Sequence, residues 1–440
     1  MSVRFQPFDP VFLQDPYPAY EQLRTDSPVH RIRIDPLTVW RLARRFSQTR
    51  RESGQPGLLR TAWAMRKARG ASQGRKGARL RRRLYAVATH EGATFVLRNP
   101  DQFSSKAMGG SEDRPVGAEA APTDGSLIAL DPPEHGRHRA IVNRGLTPRR
   151  VTALEPRIRA LADDLIEGWE GHDTIDLTEA FTSPLPVAVI AELLGLDPSR
   201  RDDFKRWSTA LIIGSTAGAG PRLELFREFR GYMAEIAEAR REDPGEDLIS
   251  ALVAAETSEG VLDAEQVVGF ASLLLAAGSE TTTNLVGNAL LALREHPEQA
   301  EVVRADPSRI PALIEETLRF DSPVQLLMRS ATRDLEIDGV EVPEGSLVLV
   351  LLGSANRDEA VYPDAERFDI ERNAQGHLAL GLGNHFCLGA SLARLEARVA
   401  LETIFTRFPD WEIPRGEIER HGSFLVRGPA QLPFRPRGPR

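Results

Sequence analysis

Two stretches of this 440-residue chain hold residue types and spacings that could do chemistry. The first surrounds the only cysteine, in the run Leu380-Gly381-Leu382-Gly383-Asn384-His385-Phe386-Cys387-Leu388-Gly389-Ala390. A glycine-rich loop here runs directly into a helix expected to begin at the cysteine. Backbone N–H groups and the helix dipole at such a point favour a thiolate, which can ligate a metal. Gly381 and Gly383 let the backbone approach a flat partner, and Gly389 leaves room just after the sulfur. A structural cysteine at a helix start is the competing reading. A dinucleotide fingerprint is excluded, because Phe386 stands where its third glycine would be.

The second stretch is Ala277-Gly278-Ser279-Glu280-Thr281-Thr282-Thr283-Asn284. It interrupts a long apolar helix expected to start at an Asp263/Gln266 capping box and to end at His296, before Pro297. At 1.5 Å per residue that helix is about 50 Å long, enough to cross a whole molecule. An acid and three hydroxyls are costly inside a buried helix. They mark either a polar helix–helix contact or a local opening of the helix at a reactive centre. A further charged pair, Glu316 and Arg319, is spaced i,i+3 on a helix ending before Pro323. Such a pair usually lies at the surface, where it is worth little.

The elements around these residues read as largely helical from Thr147 to about Arg304, with breaks at Asp173–Asp176, Gly214–Pro221 and Gly245. Short strands are expected near Val29–Ile34, from Leu84, and at Leu335–Ile337 and Leu347–Leu352, then a helix from Leu388 to Phe408. Residues 104–125 read as a long loop. Hydrophobic residues make up 41% and charged residues 27%, ordinary for a globular protein. No apolar run approaches twenty residues and no secretion signal is visible, so a cytoplasmic protein without a membrane span is expected. One cysteine excludes a disulfide framework and any site built on several thiolates. The net charge of −7 hides an island between Arg41 and Arg83 with 13 Arg, 2 Lys and one acid, Glu52. That island carries +14, leaving −21 on the remainder.

The cysteine loop resembles that of the cytochrome P-450 family, Phe-Gly-x-Gly-x-His/Arg-x-Cys-x-Gly, with Leu380 in place of the phenylalanine. The central helix resembles the family's Ala/Gly-Gly-x-Asp/Glu-Thr motif, and Glu316–Arg319 its Glu-x-x-Arg motif. The resemblance spans nearly the whole chain, from Asp15-Pro16-Tyr17 to Ser423–Gly428, and it implies a mainly helical triangular prism. This fold has a minor β-rich region and a long helix crossing the haem, within one catalytic domain, residues 1–440. Residues 35–83 stand out as a basic insertion in the N-terminal β region. A solvated extension, a docking surface for an acidic partner and a peripheral membrane contact are its open readings; nucleic acid is not expected.

By the same resemblance Cys387 is the axial ligand of haem b (iron protoporphyrin IX), and thiolate ligation favours O–O cleavage. Leu380, Gly381, Gly389, Ala277 and Gly278 border the haem, and His135, Arg139, Arg329 and His385 bind its propionates. Glu280 and Thr281 deliver protons to bound dioxygen, and Arg367 closes a structural triad with Glu316 and Arg319. The pocket is expected to use Leu273, Ala276, Val324, Gln325, Leu327, Phe424 and Leu425. Gln325 is either a polar anchor for substrate or bonded to backbone. The implied activity is oxygenation of a hydrophobic small molecule such as a terpenoid, steroid, fatty acid or polyketide, with electrons from a separate ferredoxin and its reductase. A peroxide-driven or redox-neutral haem-thiolate enzyme is the alternative.

Overall fold

The computed structural model describes residues 5–7, 9–32, 83–108, 126–169, 171–212, 219–257, 262 and 264–437. The Asp263 cap, nearly all of the basic insertion, and residues 109–125 lie outside this set.

The central helix runs unbroken over Ala264–Glu295. Its apolar periodicity explains its position, because its two halves are embedded in two different cores. Val267, Phe270, Ala271 and Leu275 pack with Phe204, Trp207, Phe229 and Leu252 from the helices Arg201–Ile212, Ala219–Glu242 and Leu248–Thr257. Leu285, Ala289, Leu290 and Leu293 pack with Ile158, Leu313 and Leu401 from Glu155–Ile166, Ile310–Phe320 and Ala390–Arg407. Removing one such leucine side chain from a core costs about 2–5 kcal/mol. The polar stretch 277–284 therefore sits at the seam between the two cores. Pro297 stops the helix and opens the next one, Pro297–Ala305, at a position where its missing N–H costs nothing.

Among the described residues nine short strands form the β region: β1 (Val29–Ile32), β2 (Leu84–Val87), β3 (Phe103–Ser104), β4 (Ile175–Asp176), β5 (Leu326–Ala331), β6 (Leu335–Ile337), β7 (Val340–Val342), β8 (Leu347–Leu351) and β9 (Pro433–Phe434). The main sheet has the order β1-β2-β8-β5-β3, with β2 and β8 parallel and the other pairs antiparallel. In the β6–β7 hairpin the turn residues Asp338 and Gly339 both have positive φ, as a two-residue turn of matching twist requires. Ile32 pairs with Leu84, so the basic insertion leaves and rejoins the sheet at one point. No helix among the described residues is long and apolar enough to cross a membrane.

Candidate functional site

The cysteine loop is bent by two glycines, Gly381 (φ +71°) and Gly383 (φ +70°). These values favour glycine for any chain, and a Cβ on Gly383 would also stand 2.7 Å from the Leu97 carbonyl oxygen. The Cys387 N–H donates to the Leu380 carbonyl at 2.7 Å, and Phe386 N–H to Gly383 at 3.1 Å, which closes the loop. The helix that follows begins at Ala390, capped by Gly389, three residues later than expected. The thiol is correspondingly not eased by a helix start. Burial pushes it up, and the Gly389 N–H with the charges of Arg139 and Arg394 offsets this only in part. A bound metal ion would favour the thiolate here.

Arg139 lies on the helix Glu134–Gly145, one turn beyond His135. Its guanidinium donates to the carbonyls of Asn384 (3.0 Å) and Phe386 (2.6 Å). Through these bonds Arg139 clamps the cysteine loop.

The other three expected cations come together. His135 is buried, and its ring centroid lies 4.1 Å from that of His385. Arg329, on β5, is buried, spends one N–H on the Met328 carbonyl, and is drawn down to about 10 by burial, with Asp131 opposing. Burial and the neighbouring arginines hold His135 at about 4 and His385 at about 3, so both rings are neutral at pH 7. His385 Nε2 meets Ser105 Oγ at 2.9 Å, and Ser105 N–H donates to Asp131 at 2.7 Å. His135 Nε2 is buried with no hydrogen-bond partner. A donor left dry in this way is costly unless a ligand oxygen meets it.

Between Val267 and Leu293 on the central helix the half-buried residues are Leu273, Leu274, Ala277, Gly278 and Thr281, one stripe at i,i+4 spacing on an otherwise packed segment. Leu273 and Leu274 pack on the same core as Leu388, the residue after the cysteine. Ala276, also expected in the pocket, is off the stripe and buried. Glu280, at the stripe's edge, is 6% exposed. Of the two readings of this stretch, the local opening is not seen: the helix is unbroken. Instead Ser279 and Thr281 donate their hydroxyls to the carbonyls of Leu275 (2.5 Å) and Ala277 (2.7 Å). Thr281 thereby keeps its oxygen lone pairs free to accept.

Val324 and Leu327 are half-buried, and a Cβ on Gly381 would lie 3.9 Å from Leu327 Cδ1. Backbone pairing of Val324 with Val426, and of Gln325 with Leu425, joins this segment to the C-terminal turn bearing Phe424 and Leu425. Gln325 itself turns away. Its amide nitrogen donates to the Ser322 carbonyl at 2.8 Å, and its side chain fills the space beside Gly353. The backbone-bonded reading thus replaces the substrate anchor.

Glu316 and Arg319 are fully buried and joined by two hydrogen bonds of 2.7 and 2.8 Å. Arg319 also reaches the carbonyls of Asn356, Ala365 and Arg367. Losing one partner of such a pair costs about 3–5 kcal/mol. The Arg367 side chain is exposed and pairs with Asp369, because its segment turns it outward. Arg372 takes the third place, its Nε 3.5 Å from Glu316. No spacing rule points to Arg372, Asp131 or Ser105, so sequence reasoning missed them.

A buried thiol, a buried arginine beside two imidazoles and one acid, an orphaned imidazole nitrogen and a half-buried helix stripe fit a haem, whose iron needs one axial donor and whose carboxylates need a cation and hydrogen-bond donors. This defines a haem-thiolate protein by class. The family model described as Cytochrome P450 matches residues 221–429. Cytochrome P450 107B1 of Saccharopolyspora erythraea is 37% identical over 434 residues, 98% of this chain and 97% of that one. Vitamin D(3) 25-hydroxylase of Pseudonocardia autotrophica is 37% identical, over 97% and 95% of the two chains. The solved structure of CYP109Q5 from Chondromyces apiculatus superposes with a TM-score of 0.81 at 38% identity, covering both chains fully. The chain belongs to the cytochrome P450 family. It is a P450 monooxygenase, and its cofactor is haem.

Proposed function

We propose that the protein hydroxylates or epoxidises a hydrophobic small molecule, with Cys387 as the axial haem ligand. Residues 1–440 act as one catalytic domain, with 35–83 as an insertion. The observation that carries this reading is the half-open stripe Leu273–Thr281, apolar at one end and bearing a hydroxyl beside a buried acid at the other. When bound, the haem supplies the iron at which dioxygen is reduced and one oxygen atom is transferred.

The chain's own residues then have distinct tasks. Arg329, His135 and His385 hold the propionates, and Arg139 holds the cysteine loop. Leu380, Gly381, Gly389, Ala277 and Gly278 border the ring. Thr281 accepts and passes protons at Oγ1, and Glu280 supplies them. Leu273, Val324, Leu327, Phe424 and Leu425 exclude water and hold apolar substrate. The names of relatives support a steroid-like or polyketide substrate, one being a vitamin D(3) hydroxylase and another a 6-deoxyerythronolide B hydroxylase. Phe386, 41% exposed one residue before the ligand, offers a separate ferredoxin a place to deliver electrons.

Thr281→Ala tests oxygen activation against the peroxide-driven alternative. With ferredoxin and reductase, product per electron pair is expected to fall by about tenfold or more while substrate binding holds. Turnover on peroxide alone, unharmed by Thr281→Ala, with none on ferredoxin, would favour the alternative.

A further inference from the structure

Of the polar side chains on the central helix that the reading above does not use, Asn284 is the one with both polar atoms unpartnered. Asn284 is fully buried, and neither its amide oxygen nor its amide nitrogen has a hydrogen-bond partner. A buried amide is rarely left dry, and an unpartnered one is normally met by buried water. Asn284 lies one helical turn beyond Glu280 and one turn before Asn288, on the same side of the helix.

Asn288 shows what a satisfied amide looks like in this region. Its nitrogen donates to the carbonyls of Asp321 (2.9 Å) and Arg427 (3.0 Å), and its oxygen accepts from Arg420 at 2.6 Å. Arg420 also donates to Asp321 at 3.0 Å. Both line a charged surface cavity of about 400 Å³. A Cβ on Gly428 would overlap the Asn284 amide, so the turn carrying Arg427 closes directly over it. Two helical turns, about 11 Å, separate Glu280 from the residue that touches the cavity wall. Asn284 is the polar group at the midpoint.

We propose that Asn284 is a positioning residue for proton supply. Its amide holds buried water between the Glu280 carboxyl and the cavity behind Arg420. The inference rests on the reading of Glu280 and Thr281 as the proton-delivery pair. Each proton that Glu280 gives up leaves a carboxylate. That carboxylate takes a proton from the held water, and the water regains one from solvent through the cavity. Asn284 itself gains and loses nothing, and Arg420 keeps its protons and only orients water.

The test uses the haem-loaded enzyme in four forms: wild type, Asn284→Leu (isosteric and apolar), Asn284→Ser (small and polar) and Glu280→Gln. Asn284→Leu is expected to keep the ferrous–CO spectrum and the substrate spin shift. Its product-to-peroxide ratio should fall by about tenfold, with a larger solvent isotope effect. Asn284→Ser should restore most of the ratio. A high-resolution crystal structure of the wild type should show water bonded to both Asn284 and Glu280. No water at Asn284 in that structure overturns the proposal whatever the variants do, as does a rise in melting temperature of Asn284→Leu, the mark of a dry amide relieved. Unchanged ratio and isotope effect in Asn284→Leu, with both altered in Glu280→Gln, sinks the Asn284 role and leaves the acid's role standing. Glu280→Gln without effect removes the reading beneath it.

Discussion

Asp321 is a buried acid held by two arginines and a tyrosine hydroxyl. It accepts from Tyr17 (2.8 Å), Arg427 (2.8 Å) and Arg420 (3.0 Å). Burial alone would raise its pKa, but Arg427, Arg420, Arg357 and the Tyr17 hydroxyl outweigh that and hold it at about 2. The unfolded value is about 3.9, so the carboxylate stabilises the fold at every pH above that value. The contribution fades as pH falls from about 4 to about 2, and amounts to roughly 2–3 kcal/mol. Asp321→Asn is expected to lose stability at pH 7, on the order of 3 kcal/mol by denaturant titration, and to converge with the wild type near pH 2. Parallel pH curves for the two proteins would contradict this. At this scale the sequence was informative where chemistry dictates a local pattern. The loop around Cys387, the i,i+3 pair Glu316–Arg319, and His135 with His385 are all brought together as their types suggest. It misled where a backbone turn decides direction. Arg367 and Arg372 are five residues apart, and nothing in their neighbours says which one faces Glu316. Gln325 and Arg139 likewise found carbonyls that only the folded chain presents.

At the scale of elements, the central helix works because its two apolar halves are gripped by different cores, leaving the polar seam rigidly placed between them. Its length was legible from periodicity, and so was its stop at Pro297. Its unbroken course through Gly278 was not, because back-bonding by Ser279 and Thr281 satisfies hydroxyls that suggested an opening. The main sheet bears on the basic insertion. Since Ile32 and Leu84 pair, whatever lies between them is attached at a single edge. Deleting Arg41–Arg79 should therefore leave haem uptake and melting temperature unchanged. Reductase coupling and binding to anionic liposomes should also persist if the segment is a solvated extension. Loss of haem uptake would show that the core depends on it, and loss of either binding activity would assign it a partner.

At the scale of the whole molecule, mainly helical architecture with a small β region follows from long helical patterns and few, scattered strands. The relatives extend this over nearly the full chain. The order of the sheet was not legible, since β2 pairs in parallel with β8 across more than 250 residues of chain, a contact set by packing and not by local pattern. Nor was the late start of the cysteine helix. The centre of the account is the proposed role of Cys387 as the axial haem ligand. The ferrous–CO difference spectrum reports this directly. The account predicts the red-shifted Soret band of a thiolate-ligated haem in the wild type and its loss in Cys387→Ser. A haem-loaded wild type without that band, or a Cys387→Ser variant that keeps it, would contradict the assignment.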